Sequence, residues 1–106
     1  MTMSDFKVNV PKIFRSDVDV AVARKKEFNA YESNIEEFKK EVSKRIALLK
    51  TSPKMGANLS ARVDRETNIK YFVIGDYLLF YEIVSDEVVE VLRFLSAKSN
   101  WYNKLF

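Results

Sequence analysis

The feature that most constrains this chain is a change of hydrophobic period at Gly56. Before it, apolar residues recur every three or four positions, as on one face of a helix: Ile35, Phe38, Val42, Ile46 and Leu49. After it, the period is two, with β-rich runs at 69–74, 77–84 and 88–95. A helical first half followed by a β second half predicts an α+β domain with helices on one face of a sheet.

The first thirty residues predict a strand and then a helix. Phe6–Val10 alternates apolar and polar residues and stops at Pro11, which is typical of an edge strand. Ser16 with acidic residues after it predicts a helix start, and the helix is expected to continue to Tyr31. Its inner side is predicted to carry Val18, Ala21, Val22 and Phe28.

The second helix has signals at both ends. Ser33 with Glu36 three residues later forms a capping box, and Pro53 and Gly56 follow the last apolar position. The short break between the helices predicts an antiparallel helical hairpin.

The second half predicts an antiparallel meander. Leu59–Val63 alternates, Gly75-Asp76 is a two-residue hairpin turn, and Ser85–Glu87 turns into the last strand. The strand Tyr77–Val84 is apolar on both faces, whereas the helices can cover only one. An intramolecular tail or a partner is therefore expected to cover part of the other face.

The amino-acid composition limits the kinds of site that the protein can form. The chain of 106 residues is expected to form one domain, residues 1–106. It has no cysteine and no histidine, so we expect no metal site, no cofactor, and no catalysis by the usual acid–base residue. We find neither a membrane-length apolar run nor a signal-peptide layout, and we expect a cytoplasmic location. Lys and Arg outnumber Asp and Glu by 12 to 8 in residues 1–56, which suits an acidic partner or nucleic acid and equally suits an ordinary soluble domain.

Several motifs, taken in order, resemble the RelE/ParE toxins over about residues 6–106. The second helix ends in a pattern similar to the family's "I..L...P..G". The strand 77–83, YLLFYEI, is similar to the "YLIFYRI" segment of the ParE branch. The ending with Val89, Val91, Arg93, Leu95, Trp101 and Leu105 resembles that branch's "V.V.R.LH...DW...L", with Ser96 and Asn100 replacing its histidine and aspartate.

The resemblance implies the toxin of a bacterial type II toxin–antitoxin system, which inhibits growth and is neutralised by an antitoxin encoded beside it. The ParE branch binds DNA gyrase, whereas the RelE branch is a ribosome-dependent mRNA endoribonuclease. Leu78 and Ser99 stand where the nucleases have arginines. Of the lysines on the nucleases' strands, only one has a candidate match here, Lys70, and it lies one position out of register. We therefore favour the ParE branch, with the endoribonuclease as the alternative. A non-toxic interaction module is a third possibility.

The resemblance and the residue types together give candidate target-binding positions: Arg62, Arg65, Lys70, Arg93, Lys98, Trp101 and Tyr102. Each has a structural alternative. Arg93 would pair with a carboxylate such as Glu82, the loop arginines would form local ion pairs, and Trp101 would anchor a tail. The strand residues Leu78, Phe80 and Tyr81 are candidate antitoxin contacts, because they make the sheet apolar on both faces.

Overall fold

A computed structural model describes residues 5–28 and 31–106. The elements, in chain order, are β1 (Lys7–Asn9), α1 (Lys12–Glu27), α2 (Glu32–Leu48), β2 (Ala57–Asn58), β3 (Ile69–Ile74), β4 (Tyr77–Ile83), β5 (Val88–Ser96) and α3 (Trp101–Leu105). Two 3₁₀ turns, at Pro53–Met55 and Leu59–Ala61, lie on either side of β2. The helices pack on one five-stranded sheet, so the α+β prediction is confirmed.

The strands lie in the order β1-β5-β4-β3-β2. The run β3-β4-β5 is the predicted antiparallel meander, and Gly75 takes the left-handed conformation in its first turn, with φ of 60°. β1 lies at the predicted edge but runs parallel to β5, with Lys7 opposite Val88. The sheet is therefore mixed rather than purely antiparallel, since the long connection from β1 to β5 imposes no hairpin direction.

Helix α1 differs from its prediction at both ends. It begins at Lys12, with Pro11 rather than Ser16 before the first turn, and it ends at Glu27. Phe14 is buried in this added first turn and packs edge-on against Phe94, with 5.8 Å between ring centroids. Phe28, predicted to face inward, lies beyond the helix and is 83% exposed. Tertiary packing of one aromatic ring thus outweighs the serine start signal.

Helix α2 carries the predicted inner face. Ile35, Phe38, Val42 and Leu49 are buried, and Ile46 packs against them. The helix begins at Glu32, with Tyr31 in the N-cap position. The side chain of Ser33, the expected capping residue, lies outside the described residues.

The segment 59–63 was predicted as a strand and is instead a 3₁₀ turn. The amide of Arg62 donates to the carbonyl of Leu59 at 2.9 Å, which closes the turn, and the amide of Val63 donates to the same carbonyl at 3.1 Å. Leu59 and Val63 both face the core, but four positions apart on a helical turn rather than on alternating strand positions. An apolar pair at this spacing fits either structure, so five residues could not separate them.

A second apolar cluster fills the sheet face opposite the helices. It contains Leu59, Ile69, Leu78, Phe80 and Leu95, and Trp101 and Leu105 of α3 pack against it. The chain's own tail therefore provides the intramolecular cover that was one of the two expectations.

A β-bulge in β5 divides its side chains between the two sheet faces. The register shifts between Phe80 and Tyr81, which lie opposite Arg93 and Val91, so Leu92 is the extra residue. Val89 and Val91 pack under the helices, whereas Leu95 lies in the opposite cluster. Regular alternation along β5 would have placed all three residues on one face, and the bulge prevents this.

Candidate functional site

The Pro–Gly ending of the second helix is explained by Tyr81. The ring lies in the apolar cluster between the sheet and helices α1 and α2. Its hydroxyl donates to the carbonyl of Pro53 at 2.6 Å and accepts from the amide of Gly56 at 2.9 Å. A side chain at Gly56 would collide with that hydroxyl, so glycine is required by the close approach. Burial raises the pKa of Tyr81, partly offset by the hydrogen bond from Gly56.

Lys70 holds the same segment from the other side. Its Nζ donates to the carbonyl of Gly56 at 3.1 Å and to the Oδ1 of Asn58 at 2.8 Å. This lysine therefore fixes the loop that leads to the 3₁₀ turn at Leu59–Ala61.

The three candidate antitoxin contacts are buried in the chain's own cores. Leu78 is 1% exposed, and Phe80 and Tyr81 have no exposed surface. Because the cores of both sheet faces are already packed, these three side chains offer no surface to a partner in this conformation, and their role as antitoxin contacts stays a prediction. Any partner must contact side chains that lie further out.

Four of the predicted target-binding residues do come together, beside α3. The guanidinium of Arg62 lies 5.6 Å from the ring centroid of Tyr71 and 5.8 Å from that of Trp101. Trp101 in turn packs on Phe80, with 5.4 Å between ring centroids, so the indole anchors α3 to the second apolar cluster. Trp101 is half-buried, so the rest of its indole stays at the surface beside Arg62.

Arg65 makes a contact of the same kind with an aromatic ring at the end of the tail. The guanidinium of Arg65 lies 4.1 Å from the ring centroid of Phe106, and Phe106 contacts Tyr102 at 5.0 Å. Tyr102 is 38% and Phe106 40% exposed, and both arginines are exposed. We name this surface the tail patch; it consists of Arg62, Arg65, Tyr71, Trp101, Tyr102 and Phe106.

Cation–π contacts of this kind hold flat cations against flat rings and limit their conformational freedom. The tail patch is therefore a partly ordered surface of exposed guanidinium and aromatic groups. Sequence reasoning missed Tyr71 and Phe106 as members. Phe106 lies far in the sequence from its cationic neighbour Arg65, and Tyr71 lies on β3, beyond the loop that carries Arg62, so no periodic signal links either aromatic residue to its arginine.

Arg93 is not part of the tail patch, and its partner is not Glu82. Its Nε and Nη2 donate to the two carboxylate oxygens of Asp17 at 2.7 and 3.0 Å. The Oδ2 of Asp17 also accepts the backbone amide of Phe94 at 3.0 Å. The hydrogen bond from Arg93 to Asp17 raises the pKa of the arginine, against the effect of burial. The paired alternative is thus confirmed with a different carboxylate.

Asp17 takes this role because β1 leaves the sheet early. β1 pairs with β5 only as far as Glu90, and α1 then follows from Pro11. The carboxylate of Asp17 satisfies a backbone donor of β5 beyond that point and ties α1 to the sheet. The sequence offered Asp17 only as a first-turn helix residue.

Lys98 lies apart from the tail patch, exposed in a hollow that it lines with Arg24 and Phe28 of the α1 region. Within residues 5–28 and 31–106, no group of three or more His, Cys, Asp or Glu residues could hold a metal ion. In the same ranges, no helix is long and apolar enough to cross a membrane.

Comparison with known proteins gives a family and a fold. The sequence model of a family described as ParE toxin of type II toxin-antitoxin system, parDE, matches residues 18–101. A solved chain described as "Chromosomal ParDE TA system from P. aeruginosa" superposes with a TM-score of 0.66 at 9% identity, covering 86% of this chain and 95% of that one. Among curated proteins, none matches this sequence.

Proposed function

Because the chain belongs to the ParE toxin family of type II toxin–antitoxin systems, we propose that it arrests bacterial growth by binding an essential intracellular target through the tail patch. By resemblance to the ParE branch, the proposed target is DNA gyrase. We propose further that a cognate antitoxin, encoded beside it, neutralises the toxin in the cytoplasm. The observation that carries the proposal is the exposed stack of Arg62 and Arg65 on the aromatic side chains around α3.

The composition of the tail patch supports protein binding. Arginine and the large aromatic residues are the types that most often dominate binding energy at interfaces. Their stacking in the unbound chain reduces the entropy lost on binding, because the side chains are already restricted. Tyr102 and Phe106 add apolar area that is accessible before any partner arrives.

The positions of the other cations favour binding over RNA cleavage. Stabilising a scissile phosphate requires cations directed at the charge that develops on it. Lys70 is held by the loop at Gly56, and Arg93 is held by Asp17. Neither side chain is directed at the tail patch. Both cations that a nuclease mechanism would need at a scissile phosphate therefore bind groups of the chain itself.

The test is induced expression in bacteria of the wild type and of the double variant Arg62→Ala with Arg65→Ala. The matched control is Lys40→Ala with Lys44→Ala, which removes two exposed cations from α2. The proposal expects growth arrest by the wild type and the control, and restored growth with the patch variant at equal soluble protein level. Full arrest by the soluble patch variant would contradict it.

A further inference from the structure

A second surface, unrelated to the tail patch, lies between the last turns of α1 and the end of β5. Two adjoining hollows of ≈ 170 Å³ and ≈ 330 Å³ share Arg24, Tyr77 and Ser96 in their walls. We name them together the α1–β5 cleft. Lys104 of α3 lines the first hollow, and Lys25 and Lys98 line the second.

The charge of the cleft is strongly positive. Arg24, Lys25, Lys98 and Lys104 form no ion pair with any carboxylate among residues 5–28 and 31–106. Lys25 has an aromatic contact instead, with its Nζ 4.4 Å from the ring centroid of Phe38.

Two carboxylates line the hollows. Asp17 is committed to Arg93 and to the amide of Phe94, which leaves Asp76 as the carboxylate without such a commitment.

Helix stabilisation accounts for only part of this cluster. Basic residues in the last turn of a helix interact favourably with the helix dipole, which is sufficient for Arg24 and Lys25. The same effect applies to Lys104 in the last turn of α3, but it does not apply to Lys98, which lies in the loop after β5. Cations from three separate elements converge on one cleft, where their mutual repulsion is unfavourable until an anion binds.

The cleft also offers apolar and hydrogen-bonding groups. Val20, in the wall of the first hollow, is 55% exposed, and Phe28, in the wall of the second, is 83% exposed. Ser96 accepts the amide of Lys98 at its Oγ, so its hydroxyl proton is available to a ligand oxygen. An occupant with both carboxylates and apolar side chains would complement all of these groups.

We propose that the α1–β5 cleft binds an acidic, partly apolar peptide segment of a partner protein. In assigning that partner as the antitoxin, the inference rests on the proposed function. A peptide fits better than a nucleic acid, because exposed valine and phenylalanine gain from apolar burial and Asp76 repels a continuous polyanion.

The probe is a fluorescein-labelled twelve-residue peptide of alternating Leu and Glu, titrated with the purified full-length chain and followed by anisotropy. The same peptide with Gln for Glu, and a twelve-residue oligothymidylate, serve as comparison ligands. The inference expects the acidic peptide to bind most tightly and to weaken as NaCl rises from low to high concentration.

Substitutions in the α1–β5 cleft test whether the acidic peptide binds there. Arg24→Gln and Lys104→Gln should each weaken the acidic peptide about three-fold, and the double variant about ten-fold, as expected for exposed ion pairs. Lys40→Gln with Lys44→Gln, on α2, should leave binding unchanged. Thermal unfolding of each variant verifies that it is folded.

The inference is overturned by equal binding by the double variant, by equal binding of the Gln peptide, or by tighter binding of the oligonucleotide. Self-association of the chain that the double variant abolishes would also overturn it, since the occupant would then be a second copy. Growth arrest is scored separately on the same variants. Absence of arrest by the wild type would contradict the proposed function without changing the peptide result.

Discussion

Tyr81→Phe tests the contact that joins the helical half of the chain to the sheet. The substitution removes one oxygen atom and leaves the ring in place. It deprives the carbonyl of Pro53 and the amide of Gly56 of their shared partner inside the protein. Each buried backbone group left without a partner costs about 1–3 kcal/mol, so the loss of two such hydrogen bonds should lower the free energy of unfolding by at least about 2 kcal/mol.

For a domain of this size, that loss corresponds to a fall in Tm of roughly 10 °C or more. The matched control is Tyr31→Phe, because Tyr31 is 78% exposed and should tolerate loss of its hydroxyl. Chemical denaturation with urea gives the free energies directly. A change below about 0.5 kcal/mol for Tyr81→Phe, equal to the control, would refute the reasoning.

The pH dependence provides an independent check of the same hydroxyl. Burial raises the pKa of Tyr81 above the ordinary value of 10.0, so the folded state retains this proton to higher pH than the unfolded state. The associated stability is fully present below the ordinary pKa and is lost as pH rises through the folded pKa. Wild type should therefore lose stability in this alkaline range more steeply than Tyr81→Phe, and parallel curves would contradict the assignment.

Three further substitutions have separate expected outcomes. Asp17→Ala should lower the free energy of unfolding by about 2–3 kcal/mol in urea titration, because it leaves Arg93 and a backbone amide of β5 without their shared acceptor. Unchanged stability would contradict the role of Asp17 in joining α1 to the sheet. Gly56→Ala should cost about 1–3 kcal/mol in the same assay, since its methyl group collides with a buried hydroxyl. Phe28→Ser should change stability by less than about 0.5 kcal/mol, since Phe28 is largely exposed.

The sequence predicted most of the regular structure because period and turn chemistry agree there. The meander from Ile69 to Ser96 follows from β-rich runs separated by Gly75-Asp76 and a second turn. Helix α2 follows from one uninterrupted apolar face. The fold class and the ParE assignment depend on these segments, where local signals and tertiary packing favour the same structure.

The errors lie where a distant contact decides the local structure. Phe14 extends α1 because Phe94 receives its ring, and Asp17 is drawn to β5 by Arg93. The bulge at Leu92 reverses the alternation of β5, and no residue type marks its position. The contacts of Phe14 and Asp17 with β5 join positions more than seventy residues apart, beyond the reach of any periodic pattern.

The candidate site was predicted in part. Arg62, Arg65, Trp101 and Tyr102 were selected by residue type and do share one surface, whereas Arg93, Lys70 and Lys98 lie elsewhere. A charged residue on a strand gives no indication of which carboxylate will reach it through the fold. The function of the tail patch is still a prediction.

The most direct test of the account is inhibition of purified DNA gyrase. Supercoiling of relaxed plasmid is measured with increasing wild-type protein, with the Arg62→Ala and Arg65→Ala double variant, and with the Lys40→Ala and Lys44→Ala control. Loss of two interface anchors of about 2 kcal/mol each predicts that the patch variant needs at least about a hundred-fold higher concentration, while the control matches wild type. Equal inhibition by the folded patch variant, or no inhibition by wild type, would contradict the central claim.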